Sequence, residues 1–406
     1  MKKVILAAIN LKDSKEDFDE KIEELKNLCI ACNMEVVVTI IQNSRSMDPQ
    51  SGFRKGKVEE LLQLVKAYEV EEIVFYNTLS LTMATYLADL CQVDIIDRTT
   101  LILDIFYLRA TSAQAKIQTE IARLKYALPR MLNIEYDNDK QRGGTLKNKG
   151  SGEKRSALIK KKVEKEIASL NRELAALKNN NDINANKRNN SGLKKVALVG
   201  YTNAGKSSLT NAILRYNNTV NKDVFSKDML FATLDTSTRK VKYQGYEFLL
   251  FDTVGFVSDL PHELIEAFNS TLSCVLDADL LINVLDSSSH NLAMQKSVTM
   301  NTLKSIGADH IKVIDVYNKC DLNDLNEFIS VSATNDYHIK ELLSLIVTKL
   351  NEDHEARYYH IGYEKAFIMN KYTNALFTII NEDDGYDIEV RADKVTFNYI
   401  EEIINS

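Results

Sequence analysis

No stretch of this 406-residue chain approaches 18 uninterrupted apolar residues, although 45% of it is hydrophobic. A membrane-spanning helix needs about 20 predominantly apolar residues, so no span is expected and the apolar content has to fill ordinary cores. With 27% of residues charged, the composition is that of a soluble protein, and the length suits two or three domains. Cysteine is scarce: five residues, scattered and odd in number. That excludes a disulfide framework and fits a reduced compartment. Cys29 and Cys32 have metal or redox spacing, yet no second pair and no neighbouring histidine accompany them, so no zinc site is expected there. No secretory leader is expected either. The apolar run after Lys2 and Lys3 breaks into Lys12-Asp13-Ser14-Lys15-Glu16-Asp17, so a first β-strand is the better reading and the protein is expected in the cytosol.

Phosphate-binding chemistry is what the chain does carry. Gly200-Tyr201-Thr202-Asn203-Ala204-Gly205-Lys206-Ser207 fits G-x-x-x-x-G-K-S, after an apolar run at 195–199 and before a helix-like run at 209–214. That strand–loop–helix context is what the motif requires. Its glycines let backbone N–H groups turn toward phosphates, and the helix N-terminus adds partial positive charge. Lys206 would reach the β- and γ-phosphates, and Ser207, followed by Ser208 in the same nucleotide-facing set, would offer a hydroxyl to Mg²⁺.

Asn318-Lys319-Cys320-Asp321, after a second apolar run at 312–317, narrows the base to guanine. The Asp321 carboxylate can accept both guanine N1–H and N2–H₂, a donor pair that adenine does not present. Asn318 can hold the base or brace the phosphate loop, and the Lys319 stem can lie on the base face. The other parts follow in order. Asp252-Thr253-Val254-Gly255 ends the run 247–251, so Asp252 can hold Mg²⁺ through water and the Gly255 N–H can sense the γ-phosphate. Ser332-Ala333-Thr334 follows 328–331, where a backbone N–H can meet guanine O6. Thr233, in Phe231-Ala232-Thr233-Leu234-Asp235, is the candidate switch threonine closing on Mg²⁺ and γ-phosphate. Asp-x-x-Gly alone occurs by chance in many chains; five such fragments in the required order, each after a predicted strand, read as a GTPase. Lys206, Thr233 and Gly255 are its candidate catalytic groups.

One absence here bears on mechanism. Ras-like enzymes place a glutamine directly after the Asp-x-x-Gly glycine to orient the attacking water, and this chain has Phe256. Intrinsic hydrolysis should be slow, with water aligned by backbone, a moved switch or a partner. Phe256 can equally be a core residue, and the two readings are compatible.

The expected architecture is α/β and multidomain. Residues 1–107 alternate strand-like runs (4–9, 35–41, 72–76, 93–96) with amphipathic stretches (15–29, 58–68, 82–91), which argues for an N-terminal α/β domain with a parallel sheet. Between them, 51–57 is glycine-bearing and basic, a solvated loop in preference to an anion site. Over 108–178, Ile117, Ile121, Leu124, Leu128 and Met131 form one seam, and Val163, Ile167, Leu170, Leu174 and Leu177 a second. Two such seams predict an antiparallel coiled-coil hairpin, with an irregular tip containing Gln141-Arg142-Gly143-Gly144 and Gly150-Ser151-Gly152-Glu153. An asparagine-rich linker occupies 179–192, a P-loop GTPase domain 193–350, and a small α+β domain 351–406, with strands at 375–380 and 386–390 flanking a turn.

Charge is uneven. Residues 140–190 carry 14 basic and 5 acidic side chains, net +9, and 108–133 carry +4; with −6 for the whole chain, everything else carries −19. A basic arm on an acidic protein points to a polyanion, most simply RNA, with Arg142, Lys154, Arg155, Lys160, Lys161 and Lys162 as candidate contacts. The competing reading is a solvated helix face.

The sequence resembles the bacterial HflX GTPases over most of its length. The phosphate loop, the 230–235 segment as switch I and Asp252–Phe256 with Asp259-Leu260-Pro261-His262 as switch II are similar to that family's, as are 56–61 and 96–106 outside the GTPase core. The resemblance implies an N-terminal α/β domain, a helical hairpin, a Ras-like domain and a small C-terminal domain. It also implies binding to the large ribosomal subunit and its RNA, hydrolysis stimulated there, and splitting or rescue of stalled ribosomes under stress; a monomer is expected. Two segments depart from the family pattern. Gly150-Ser151-Gly152-Glu153 lacks the usual proline and its Thr-Gln-Leu-Glu continuation, and Asp235-Thr236-Ser237-Thr238-Arg239 stands where Asp-Pro-Thr-Thr-Arg is usual. A divergent role such as relief of ribosome-targeting antibiotics fits these changes, and so does a GTP-gated RNA- or protein-binding switch that never splits ribosomes.

Overall fold

A computed structural model describes residues 1–11, 15–141, 149–189, 192–217, 237–257, 274–289, 291–323, 325 and 329–405, with side chains described at these positions except 15–17, 130–141, 149–156 and 178–189. The chain divides into two compact units between Asn179 and Asn180.

In the first unit, strands β1 (Lys2–Asn10), β2 (Met34–Asn43), β3 (Glu72–Phe75) and β4 (Asp94–Asp97) alternate with helices α1 (Lys15–Ala31), α2 (Lys55–Tyr68) and α3 (Leu81–Cys91). Every strand pairing is parallel, in the order β2-β1-β3-β4, as the alternation predicts. β1 is central, and residues 4–9 are buried throughout. A strand covered on both faces by crossover helices reads as a continuous apolar run. Ile5, Ala7 and Ile9 pack with Leu61 of α2 and Leu87 of α3, while α1 and α4 (Arg98–Arg109) serve the other face. Helix α4 is an addition to the expected elements. Asp97 caps it, accepting from the Thr100 N–H at 2.9 Å and the Thr100 hydroxyl at 2.8 Å. Its second oxygen accepts from the Tyr126 hydroxyl at 2.7 Å, tying α4 to α5 (Ala113–Gln141). Arg98 forms a buried ion pair with Glu24. Burial pushes the thiols of Cys29 and Cys32 up to about 12, so both remain protonated and pack as small apolar groups.

Helix α6 (Lys149–Asn189) corrects the expected tip and linker in two places. It starts early enough to include Gly150–Gly152, where irregular chain is expected, and it runs on through most of the asparagine-rich stretch. A glycine costs a helix only about 1 kcal/mol relative to alanine, which the Lys-, Glu- and Ala-rich run that follows outweighs. Along α6, Val163 is buried and Ile167, Leu170, Leu174 and Leu177 are half-buried, whereas the residues between are exposed.

The second unit contains a five-stranded sheet in the order β6-β7-β5-β8-β9. Its strands are β5 (Lys194–Val199), β6 (Ser237–Tyr243), β7 (Tyr246–Asp252), β8 (Leu280–Asp286) and β9 (Val313–Asn318), and its helices α7 (Lys206–Tyr216), α8 (Leu292–Ser305) and α9 (Ile339–Leu350). Only β6 runs antiparallel, in a hairpin with β7. The strand expected at 328–331 is reduced to a bridge: the Tyr317 N–H donates to the Ile329 carbonyl at 2.9 Å, and the Val331 N–H to the Tyr317 carbonyl at 2.7 Å. Leu198, Leu209, Ile213, Phe248, Ile282, Val316 and Leu342 fill the core. The C-terminal segment adds β10 (Ala356–Ile361), α10 (Ile368–Lys371), β11 (Leu376–Asn381), β12 (Tyr386–Arg391) and α11 (Lys394–Asn405). Its sheet is antiparallel, β10-β12-β11, and Phe397 and Ile400 of α11 pack on Ile388 and Val390. The two expected strands are present, and β10 and α11 are additional. This segment grips the tip of the β6–β7 hairpin, where the Glu247 N–H donates to the Thr373 carbonyl at 2.7 Å. Among the described residues no helix is long and apolar enough to cross a membrane.

Candidate functional site

The site gathers at the carboxyl ends of β5, β7, β8 and β9, where a parallel sheet opens a crevice between strand ends and helix N-termini. β5 delivers the chain to Gly200, and α7 starts at Lys206. Lys206 is buried, and its ammonium donates to the Gly200 carbonyl at 3.0 Å and the Tyr201 carbonyl at 2.8 Å. Burial lowers its pKa to about 8, opposed by the nearby Asp252 carboxylate. Gly205 has a left-handed backbone at φ +90°, and any side chain there would collide with the Asn318 amide. Tyr201, Thr202 and Ala204 are buried, Asn203 is exposed, and Ser207 and Ser208 lie half-buried on the first turn of α7.

Asp252 ends β7 fully buried, beside the Ser207 hydroxyl. Burial raises its pKa to about 6, with Ser207 and Lys206 pulling the other way. A buried carboxylate is costly in isolation, and one set beside Ser207 at a helix N-terminus suits a hydrated divalent cation. Thr253 anchors the turn by donating its hydroxyl to the Leu198 carbonyl at 2.5 Å. Val254 is buried. Gly255 crosses the phosphate loop so closely that a Cβ would lie 2.6 Å from Thr202 Cα and 3.0 Å from the Lys206 ammonium. Phe256, in the position of the absent glutamine, is 2% exposed. Its N–H donates to the Gly200 carbonyl at 3.1 Å, and its carbonyl accepts from the Thr202 N–H at 2.7 Å. It is therefore a core residue paired with the loop through its backbone.

At β9, Asn318 braces instead of pointing outward. Its amide donates to the Ala204 carbonyl at 2.9 Å and accepts from the Ala333 N–H at 3.1 Å. Of the Ser332–Thr334 segment, where a backbone N–H is expected to meet guanine O6, the Ala333 N–H is turned to Asn318. Ser332 is buried and Thr334 exposed. The Cys320 N–H donates to the Val331 carbonyl at 3.1 Å, which holds the turn on the Ser332–Thr334 loop and leaves Asp321 exposed. Two supports lie outside the expected set. Arg215, in the last turn of α7, donates to the Ala333 carbonyl at 2.9 Å and to Asp336 at 2.6 Å. Asp286, ending β8, accepts from the Lys319 ammonium at 2.7 Å. Asp286 ends a mostly apolar strand, as Asp252 does, but nothing in its local sequence pairs it with Lys319.

Phe231, Ala232, Thr233, Leu234 and Asp235, the Asp259–His262 segment and Arg142 lie outside the described residues. Lys154 and Arg155 fall within α6. Lys160, Lys161 and Lys162 are exposed on it, with Lys160 3.8 Å from Glu164.

A sheet of this order, with a phosphate loop after its central strand and an Asn-Lys-x-Asp turn after β9, defines a P-loop GTPase domain. Three family models match the chain: "GTP-binding GTPase N-terminal" at 19–107, "GTP-binding GTPase Middle Region" at 109–188, and "50S ribosome-binding GTPase" at 195–319. GTPase HflX of Caldanaerobacter subterraneus subsp. tengcongensis is 36% identical over 96% of this chain and 90% of its own. GTPase HflX of Alkalihalophilus pseudofirmus is 34% identical over 86% and 79%. A GTP-binding protein from Sulfolobus solfataricus, solved with GDP, aligns with 87% of this chain and 99% of its own at 23% identity and a TM-score of 0.45. The chain belongs to the HflX family of GTPases.

Proposed function

We propose that this chain binds GTP and GDP between the phosphate loop and the Asn318–Asp321 turn, hydrolyses GTP slowly until a partner stimulates it, and acts on the large ribosomal subunit. In this reading the 200–208 segment wraps the phosphates, Lys206 neutralises the β- and γ-phosphates, Asp321 reads the guanine edge, and Thr233 and Gly255 follow the γ-phosphate. The buried Asp252 carboxylate beside Ser207 supports a Mg²⁺ held by Ser207 and Thr233, with Asp252 acting through water. The ion's contribution when bound is to offset charge on the phosphate oxygens. Phe256, buried and without a polar side-chain atom, cannot orient the attacking water, so alignment falls to backbone, the switches or the partner.

The observation that carries the ribosomal part is the match of 195–319 to a family described as 50S ribosome-binding, alongside the HflX relatives. The exposed Lys160, Lys161 and Lys162 supply cationic charge for ribosomal RNA. Subunit splitting, rescue of stalled ribosomes in the cytoplasm and antibiotic tolerance are the consequences proposed. Gradient sedimentation of 70S ribosomes with the protein and a non-hydrolysable GTP analogue tests this. Conversion to free subunits is expected. Co-migration with intact ribosomes would favour the second reading, a GTP-gated attachment switch, which the altered Gly150–Glu153 segment recommends.

A further inference from the structure

We propose that Asp286 is a positioning residue of the guanine site, holding Lys319 in the attitude from which its aliphatic stem covers the base. This rests on reading the Asn318–Asp321 turn as that site. Lys319 sits at φ +63°, a left-handed backbone that a residue with a side chain holds only when its surroundings enforce it. The enforcement is visible. The Ser287 N–H donates to the Asn318 carbonyl at 2.9 Å, the Leu322 N–H to the Lys319 carbonyl at 2.9 Å, and the Cys320 N–H to the Val331 carbonyl at 3.1 Å. The Asn323 amide donates to the Ser287 carbonyl at 2.9 Å, which joins the same turn to the end of β8.

Those contacts fix the main chain only. The long, rotamer-rich side chain is fixed at its far end, where the ammonium meets Asp286 Oδ2 at 2.7 Å, with the two side chains 23% and 16% exposed. The carboxylate divides its work. Oδ1 accepts from the Ser288 N–H at 3.0 Å and the Ser288 hydroxyl at 2.6 Å, which shapes its own loop, and Oδ2 is left for Lys319. A side chain pinned at both ends loses little further entropy when a base settles against its methylenes, whereas a free lysine gives up rotamer freedom on binding.

That division of labour supplies the test. Asp286→Asn keeps an oxygen for Ser288 and puts an amide donor, which cannot accept, opposite Lys319, so the loop survives while the pin is lost. Fluorescent-nucleotide titration of the full chain should show GDP and inosine diphosphate weakened alike, by roughly tenfold, because a face contact does not read the base edge. The single-turnover rate at saturating GTP should stay within about twofold of the parent, placing the loss in binding and not in turnover. Lys319→Ala should show a similar loss, and the double variant no further one, since the two changes delete one interaction. Multiplying losses, or GDP affinity within about twofold of the parent in Asp286→Asn, would overturn the proposal. Asp321→Asn, measured beside them, separates the proposal from its premise. If it leaves base choice unaltered, the guanine assignment fails and the proposal with it. If it shifts preference toward xanthosine diphosphate while Asp286→Asn is silent, only the role of Asp286 falls.

Discussion

Replacing Asn318 with alanine tests whether one amide holds the phosphate loop and the guanine loop together. The side chain is 2% exposed and uses both ends, donating to the Ala204 carbonyl at 2.9 Å and accepting from the Ala333 N–H at 3.1 Å. Truncation leaves a buried acceptor on one loop and a buried donor on the other. Each unmet group costs about 1–3 kcal/mol, and some of that is recovered if water enters, so a total of roughly 2–4 kcal/mol is reasonable. Part of it appears as lost stability of the empty domain. The part that matters for function is lost preorganisation, because both loops must reach their bound positions without the brace. Even 2 kcal/mol in binding is about 30-fold in the dissociation constant. The assay is GDP and GTP titration of Asn318→Ala, with a thermal melt of the nucleotide-free protein alongside. Asn318→Asp is an informative companion: it keeps the acceptor for Ala333 and turns the donor into a second acceptor facing the Ala204 carbonyl, so its loss should be at least as large. Nucleotide affinity within about threefold of the parent in both variants would refute the bracing role.

Three further outcomes follow from the same geometry. Asp321→Asn should lose GTP affinity by roughly 1–3 kcal/mol and gain use of XTP; normal GTP hydrolysis with no gain on XTP would move the guanine site elsewhere. Phe256→Ala should lower the melting temperature, since emptying a buried phenylalanine site costs about 3–5 kcal/mol, while the basal hydrolysis rate of the folded fraction stays near that of the parent and large subunits raise it; a sharply altered basal rate would give the ring a role in the chemistry. Reversing charge at Lys160, Lys161 and Lys162 together should weaken ribosome binding and flatten its salt dependence, by a log–log slope of about 0.7–0.9 per lost phosphate contact, without changing GTP affinity; unchanged binding and slope would make these lysines a solvated face.

Legibility in the sequence followed physical regularity. β1 and the N-terminal crossovers were readable because a parallel sheet buried on both faces demands unbroken apolar runs with amphipathic helices between. The phosphate loop and the Asn318–Asp321 turn were readable because their spacing is dictated by the ligand. Helix α4 was not: Leu101, Ile102, Leu103, Ile105 and Phe106 are all buried, so no polar stripe marks a 3.6-residue period. The Gly150–Gly152 part of the tip was misjudged because glycine is a weak breaker inside a long run of good helix formers. Asp286 and Arg215 were invisible because each acts through another residue, Lys319 or the Ala333 carbonyl, across distances of 33 and 118 residues along the chain. For Asn318, tertiary packing turns the side chain to brace the phosphate loop, and Phe256 is packed in the core, a placement compatible with its inability to align water.

The grip of the C-terminal segment on the β6–β7 hairpin constrains how that hairpin can move. β6 follows the proposed 231–235 switch segment in sequence and β7 ends at Asp252, so in the proposed reading the hairpin is the ribbon between two nucleotide-sensing segments. Its tip is tethered by the bond from the Glu247 N–H to the Thr373 carbonyl, and Gly245 lies so near the Met369 carbonyl that a Cβ there would stand 2.9 Å from it. A slide of the ribbon along β5 by one residue would tear that tether and turn every side chain of β7 to the opposite face of the sheet. Such a ribbon pivots more readily than it translates. In mechanical terms the C-terminal segment is a clamp at one end of a lever, and the angular play left at the Asp252 end is set by how firmly that clamp holds.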